Sequence, residues 1–77
     1  MRQDIIDVFA EVFGLAPENF GDETAPATVS GWDSARHVEL VIALEERFGC
    51  MLEPDEVPEL TSLQRIEEIL RRHRRDG

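Results

Sequence analysis

An aspartate, a serine and a histidine stand close together where a polar segment gives way to an apolar helical pattern. Asp33 and Ser34 directly follow the only tryptophan, Trp32, and His37 lies three residues after the serine. Nucleophilic catalysis by serine needs a base oriented on the hydroxyl and a site for the oxyanion. His37 lies on the same predicted helix as Ser34, and no oxyanion loop is evident. The pattern therefore argues against a serine hydrolase, and we assign no catalytic residue.

The position of Ser34 suits a different chemistry, the attachment of a phosphodiester. The first backbone N–H groups of a helix have no intrahelical partner, and Asp33 is placed to cap them. The same groups, with the positive end of the helix dipole, favour a phosphate carried by a side chain at that point. Ser34 is therefore a good phosphodiester acceptor at the rim of the fold, although an isolated Asp-Ser pair is more often a plain helix cap.

Length and charge limit the classes of function. The 77 residues form one domain, 1–77, with a formal net charge of −9. A core of this size rarely supplies more than about 3–5 kcal/mol of net stability, so no buried catalytic cleft is expected. The acidic balance argues against nucleic acid and membrane as partners and favours basic proteins. No membrane span or signal-peptide core is evident, so we expect a cytoplasmic protein.

Cysteine and histidine are too sparse for redox or metal chemistry. Cys50 is the only cysteine and the two histidines are isolated, so neither a disulfide nor a metal site is predicted. Cys50 follows the helix-stopping Gly49, and we expect it to act as a small buried hydrophobe.

Apolar spacing predicts two helices separated by a long loop. The first ends at Gly14 and the second at Gly49, each with a left-handed C-cap. The stripes are Ile5, Ile6, Phe9, Val12 and Phe13 in the first helix, and Val38, Leu40, Val41, Ile42, Leu44 and Phe48 in the second. Phe20, Val29 and Trp32 are expected to pin the loop, residues 15–33, to the core.

Two further signals complete an all-α pattern. Pro54 suits the first position of a short turn of helix that Pro58 ends. Thr61 and Gln64 form a capping box before a last helix with the stripe Leu63, Ile66, Ile69 and Leu70. The predicted fold is a four-helix bundle with three longer helices and one short one. In it, Val38 and Ile42 are expected to meet Ile66 and Leu70 in the core.

The segment GWDSARHVELVIALEERFG, residues 31–49, resembles the signature of acyl carrier proteins. In that family an Asp-Ser pair opens the second helix. The resemblance extends to the apolar helix before the pair, the long loop, the Glu45-Glu46 and Phe48-Gly49 pairs, and the capped last helix. It covers nearly the whole chain. It implies an acyl-carrier-protein-like bundle that is a carrier and not an enzyme.

The resemblance also implies a cofactor and partners. Ser34 would carry 4′-phosphopantetheine, added by a phosphopantetheinyl transferase whose magnesium ion Asp33 helps to hold. The thiol of this arm would carry acyl groups as thioesters between loading and processing enzymes with basic docking surfaces. The partner contacts carried over from the family are Ala35, Arg36, Glu39, Glu45 and Glu46. Ala35 and Arg36 depart from the family, which commonly has leucine and then an acidic or neutral residue there.

Pathway and cargo are less closely defined. The Trp-Asp-Ser-x-x-His form, residues 32–37, resembles free-standing carriers of specialised metabolism, so we expect a discrete monomer in a polyketide, fatty-acid-like or related pathway. One alternative is an aminoacyl or peptidyl carrier of a non-ribosomal peptide system, though such carriers usually have a non-acidic residue where Asp33 stands. Another is a non-covalent acidic helical interaction module, which would give Ser34 no role.

Overall fold

The residues that the structure describes form three α-helices around one apolar core. A computed structural model describes the backbone of residues 2–76 and the side chains of residues 2–73. The helices are α1 (Arg2–Phe13), α2 (Ser34–Phe48) and α3 (Leu63–Asp76), and single 3₁₀ turns occupy Pro17–Asn19 and Val57–Glu59. No strand occurs among the described residues. The predicted all-α bundle is confirmed, and its short fourth helix is the second 3₁₀ turn.

The core draws on every helix and on both connections. Its buried apolar residues are Ile5, Val8, Phe9, Phe20, Val29, Trp32, Leu40, Leu44, Leu52, Leu60, Leu63, Ile66, Ile69 and Leu70. Within residues 2–76, no helix is both long and apolar enough to cross a membrane.

Glycine ends α1 and α2 as predicted. Gly14 has φ 67°, and Gly49 has φ 62° and ψ 36°, which is the left-handed conformation that glycine adopts without steric cost. The N–H of Gly14 donates to the carbonyl of Ala10 at 2.9 Å, and the N–H of Gly49 donates to the carbonyl of Glu45. These bonds satisfy carbonyl groups that the helix ends leave free.

The apolar band of α2 divides between two faces of the helix. Leu40 and Leu44 are fully buried, whereas Val38 is 56% and Ile42 50% exposed. Val38 and Ile42 each lie two residues from Leu40, which places them about 200° away around the helix axis. The prediction that they lie in the core is therefore wrong, while Ile66 and Leu70 are buried as expected.

The long connection between α1 and α2 is held to the core at several points. Phe20, Val29 and Trp32 are buried, which confirms the predicted anchors. Thr24 is also buried, and its Oγ1 accepts a hydrogen bond from the N–H of Gly21 at 2.7 Å. The carbonyl of Thr24 accepts from the N–H of Leu63 at 2.9 Å, so the loop is tied to the start of α3.

Two local predictions after α2 are wrong. Pro54 opens a hydrogen-bonded turn, in which the N–H of Glu56 donates to the carbonyl of Glu53 at 2.9 Å, but the 3₁₀ turn begins only at Val57. Pro58 therefore lies inside the 3₁₀ turn and does not end it, because so short a span tolerates a residue without an N–H near its start. The cap of α3 is Ser62 instead of Thr61, because Ser62 Oγ accepts from the N–H of Arg65 at 3.0 Å. Starting the helix there places Leu63 directly in the core.

Ion pairs fasten the N-terminal end of α1 to the other two helices. Arg2 donates to Glu67 on α3 at 3.1 Å, and this contact holds the pKa of the Glu67 carboxyl below its usual value. Arg47, in the last turn of α2, donates to Asp4 on α1 at 2.8 Å. Arg47 lies in the last turn of α2 and Ser34 in the first, so the start of α2 is held by other contacts.

A matched pair of substitutions tests the division of apolar residues. Ile66→Val removes one methylene from a fully buried site, so we expect a loss of about 0.5–1.5 kcal/mol in the free energy of unfolding. Ile42→Val removes the same group from an exposed site and should change it by less than about 0.5 kcal/mol. Urea unfolding followed by circular dichroism measures both. Equal losses would show that Ile42 is buried in solution.

Candidate functional site

The first turn of α2 is shaped by a glycine turn and a side-chain cap. Gly31 has φ 89°, and its carbonyl accepts from the N–H of Asp33 at 3.0 Å, which turns the chain into the helix. Asp33 is the N-cap residue with extended backbone, and its Oδ1 accepts from the N–H of Arg36 at 2.9 Å. The carbonyl of Asp33 accepts from the N–H of His37 at 2.8 Å. The position of Ser34 follows from these bonds.

Ser34 is the first residue of α2 and is exposed. Its hydroxyl forms no hydrogen bond with any of the residues that the structure describes. The chain has two other serines. Ser62 is half-buried and committed to the cap of α3, and Ser30 is exposed in the loop ahead of any helix. Ser34 alone combines an uncommitted hydroxyl with a helix N-terminus that suits a phosphate.

His37 joins three parts of the chain beside Ser34. Trp32 Nε1 donates to His37 Nδ1 at 3.0 Å, and His37 Nε2 lies 2.8 Å from the carbonyl oxygen of Val57. Because indole N–H can only donate, Nδ1 must be the acceptor, and Nε2 then carries the proton that it donates to Val57. The imidazole, with its proton on Nε2, is thus held between the loop, α2 and the second 3₁₀ turn.

The indole that His37 holds is itself packed into an aromatic cluster. The ring of Trp32 lies 5.5 Å from that of Phe9, edge to face at 71°, and 5.7 Å from that of Phe13. Phe20 completes the cluster, 5.4 Å from Phe9. Such aromatic pairs contribute about 0.5–1.5 kcal/mol each beyond the area they bury. The start of α2 is therefore connected through Trp32 to the core face of α1.

Both nitrogens of His37 are occupied, so neither is free to take the proton of Ser34. This geometry agrees with the argument from sequence against a serine hydrolase. The sequence did not lead us to predict that His37 holds Trp32. The spacing Trp-x-x-x-x-His across a helix start is the signal that could have indicated it.

The residues expected to contact partner enzymes differ in their exposure and in the intramolecular contacts that their side chains make. Ala35, Arg36, Glu39 and Glu46 are exposed, and Glu45 is half-buried. Arg36 pairs with Glu39 at 2.7 Å, and Glu45 Oε2 accepts from the N–H of Leu52 at 2.9 Å. The side chain of Glu46 forms no ion pair or hydrogen bond with the residues that the structure describes. Glu45 thus has an intramolecular role in addition to the one proposed for it.

Cys50 is half-buried and packs against the core. Burial, followed by the carboxylates of Glu45 and Glu56, raises the pKa of the Cys50 thiol. Because the thiolate is the nucleophilic form, this thiol is a poor nucleophile at neutral pH.

The family model described as "Phosphopantetheine attachment site" matches residues 3–70. This match spans most of the chain, and the chain therefore belongs to the phosphopantetheine attachment family, in agreement with its resemblance to acyl carrier proteins. It is a carrier protein and not an enzyme, and its cofactor is 4′-phosphopantetheine. As a carrier it interacts with a phosphopantetheinyl transferase and with biosynthetic enzymes.

A double-mutant cycle tests the link between Trp32 and His37. His37→Phe keeps a ring but leaves the Trp32 N–H and the Val57 carbonyl without this partner, so we expect a loss of about 1–3 kcal/mol in the free energy of unfolding. Trp32→Phe removes the donor. Thermal unfolding of the two single variants and of the double variant measures the cycle. The double variant should lose less free energy of unfolding than the two single variants lose together. Losses that add within about 0.3–0.5 kcal/mol would contradict the link.

Proposed function

We propose that Ser34 is the attachment residue and that the chain is an acyl carrier protein. The observation that carries the proposal is the exposed, uncommitted Ser34 hydroxyl on the first turn of α2, inside the region matched by the family. The arm supplies a terminal thiol that holds acyl groups as thioesters between partner enzymes. The protein itself holds the arm and presents it.

The attachment reaction assigns simple roles to two residues. Ser34 Oγ attacks the β-phosphate of coenzyme A, a bond forms between Oγ and phosphorus, and adenosine 3′,5′-bisphosphate leaves. The hydroxyl proton passes to a base of the transferase. Asp33 uses Oδ1 for the helix cap, and its carboxylate is exposed. We propose that its other oxygen helps to hold the magnesium ion of the transferase, because magnesium prefers oxygen ligands and is often bound by only one or two carboxylates.

The partner surface that we propose is the exposed face of α2. Val38 and Ile42 lie one turn apart on this face, and Ala35 precedes them by one turn, so the three form an apolar stripe that begins beside Ser34. Glu39 and Glu46 are exposed acids on the same helix. An apolar stripe with acidic neighbours suits an enzyme surface with an apolar centre and basic residues around it. Arg36 and Glu45 are included as contacts at the edge of this face.

We also propose which type of cargo the arm carries. Asp33 before the serine favours an acyl cargo over an aminoacyl or peptidyl one, and the Trp-Asp-Ser-x-x-His form favours a specialised polyketide, fatty-acid-like or related pathway over housekeeping fatty-acid synthesis. The monomeric state and the cytoplasmic location expected from the sequence stay predictions.

Mass spectrometry tests the attachment site. Incubation with coenzyme A, magnesium and a broad-specificity transferase should add one phosphopantetheine, and tandem spectra should place it on Ser34. Ser34→Ala should abolish the addition, while Ser30→Ala and Ser62→Ala should retain it. An arm on Ser30 or Ser62, or no added mass in the wild type, would overturn the proposal.

Two matched charge reversals test the partner surface. Glu39 on α2 and Glu68 on α3 are both exposed, and each pairs with an arginine three residues earlier, Arg36 or Arg65. Glu39→Lys should lower the rate of arm transfer several-fold, because it opposes a basic docking surface. Glu68→Lys should leave the rate nearly unchanged.

Added salt is a second readout of the same surface. Exposed charges are screened over about 8–10 Å near physiological ionic strength, so salt should slow transfer to the wild type more than transfer to Glu39→Lys. If Glu68→Lys is the slower variant, the docking face is on α3 and the assignment to α2 is wrong.

A further inference from the structure

A shallow cleft lies directly beside the Ser34 hydroxyl. Pro26, Trp32, Asp33, Ser34 and His37 line it, so the loop forms one wall and the first turn of α2 forms the other. The attachment residue is itself part of the lining. Whatever is bonded to Ser34 Oγ therefore starts at the mouth of this cleft.

Three of the five lining residues, Pro26, Trp32 and His37, offer apolar surface on the side of the cleft away from the Asp33 carboxylate and the Ser34 hydroxyl. Trp32 Nε1 already donates to His37, and His37 Nε2 already donates to Val57. The rings of Trp32 and His37 are stacked, with centroids 6.1 Å apart and planes 19° from parallel. The two rings and Pro26 thus offer carbon surface, with their polar N–H groups used inside the protein.

The arm carries a compact apolar group close to its point of attachment. In 4′-phosphopantetheine the phosphate is followed by one methylene and then by a carbon that bears two methyl groups. A group tethered so closely meets an adjacent surface at a high effective concentration, so even a weak contact is populated. The phosphate would remain beside the N–H groups at the start of α2, which favour an anion.

We propose that this cleft is a binding site for the dimethyl-bearing segment of the phosphopantetheine arm. The proposal rests on attachment at Ser34. The cleft holds only the first part of the arm, and the thiol end stays outside for partner enzymes. Docking there directs the arm to the loop side of Ser34, where Pro26 and Trp32 lie, and keeps it off the apolar stripe of Ala35, Val38 and Ile42.

The test compares two arms on the same protein. One sample carries the natural arm, and the other carries an arm from a synthetic coenzyme A analogue with hydrogens in place of the two methyl groups. Mass spectrometry first establishes that Ser34 is modified in both. Trp32 is the only tryptophan and the chain has no tyrosine, so the tryptophan fluorescence and the indole N–H resonance each come from this one residue.

With the natural arm, we expect nuclear Overhauser contacts from its methyl protons to the rings of Trp32, His37 or Pro26, and a shift of the Trp32 indole resonance. With the analogue, that shift should be largely lost. Pro26→Ser removes one wall of the cleft and should weaken the methyl contacts. Ala27→Ser alters the neighbouring exposed residue, which does not line the cleft, and should preserve them.

Two outcomes would overturn the proposal, and they are distinguishable. If Ser34 carries the arm but no methyl contact appears, or both arms shift Trp32 equally, the arm is not held in the cleft and the carrier function stands. If Ser34 is not modified at all, the attachment site is wrong and the cleft has no such occupant.

Discussion

The pair of hydrogen bonds made by His37 is the constraint on which the functional end of the molecule depends. One bond holds the indole of Trp32, at 3.0 Å, and the other holds the backbone of Val57, at 2.8 Å. Trp32 in turn packs on Phe9 and Phe13 of α1. A single imidazole thus ties the loop and the second 3₁₀ turn to the first turn of α2. The start of α2, which carries Ser34, is therefore held from two sides, although the Ser34 hydroxyl itself forms no hydrogen bond with the described residues.

This arrangement suits a carrier because the residues that hold the helix start in place are different from the residue that accepts the arm. The bonds that fix the helix start involve Asp33, Trp32 and His37, while the hydroxyl of Ser34 remains free for modification. The free energy of unfolding of a small bundle is low, so a few hydrogen bonds in a partly buried position account for a large fraction of it. The apolar stripe of Val38 and Ile42 can stay exposed, since core packing is supplied by Leu40 and Leu44 on the opposite side of α2.

Local sequence signals predicted most of the fold. Gly14 and Gly49 marked the ends of two helices, and isolated apolar residues in a polar loop, Phe20, Val29 and Trp32, proved to be anchors. These features depend on backbone conformation or on burial of one large side chain, which residue type alone indicates. The Asp33 and Ser34 pair was informative for the same reason, since a helix start is a local structure.

The predictions that failed concern residues whose surroundings are set by a distant part of the chain. Val38 and Ile42 are as apolar as Leu40, and only the positions of α1 and α3 decide which of them are covered. Thr61 and Ser62 are both competent caps, and the choice between them follows from burying Leu63, whose N–H also bonds to Thr24. The bond of His37 to Val57 spans 20 residues, so nothing in the local pattern could reveal it.

We propose that the start of α2, held by His37, presents Ser34 for modification. The most direct measurement is the rate of arm transfer to the wild type and to His37→Phe, at a temperature where circular dichroism shows both proteins folded. We expect a single arm on Ser34 in both proteins and a several-fold lower kcat/KM for His37→Phe. Equal kcat/KM values, or an arm on another residue, would contradict it.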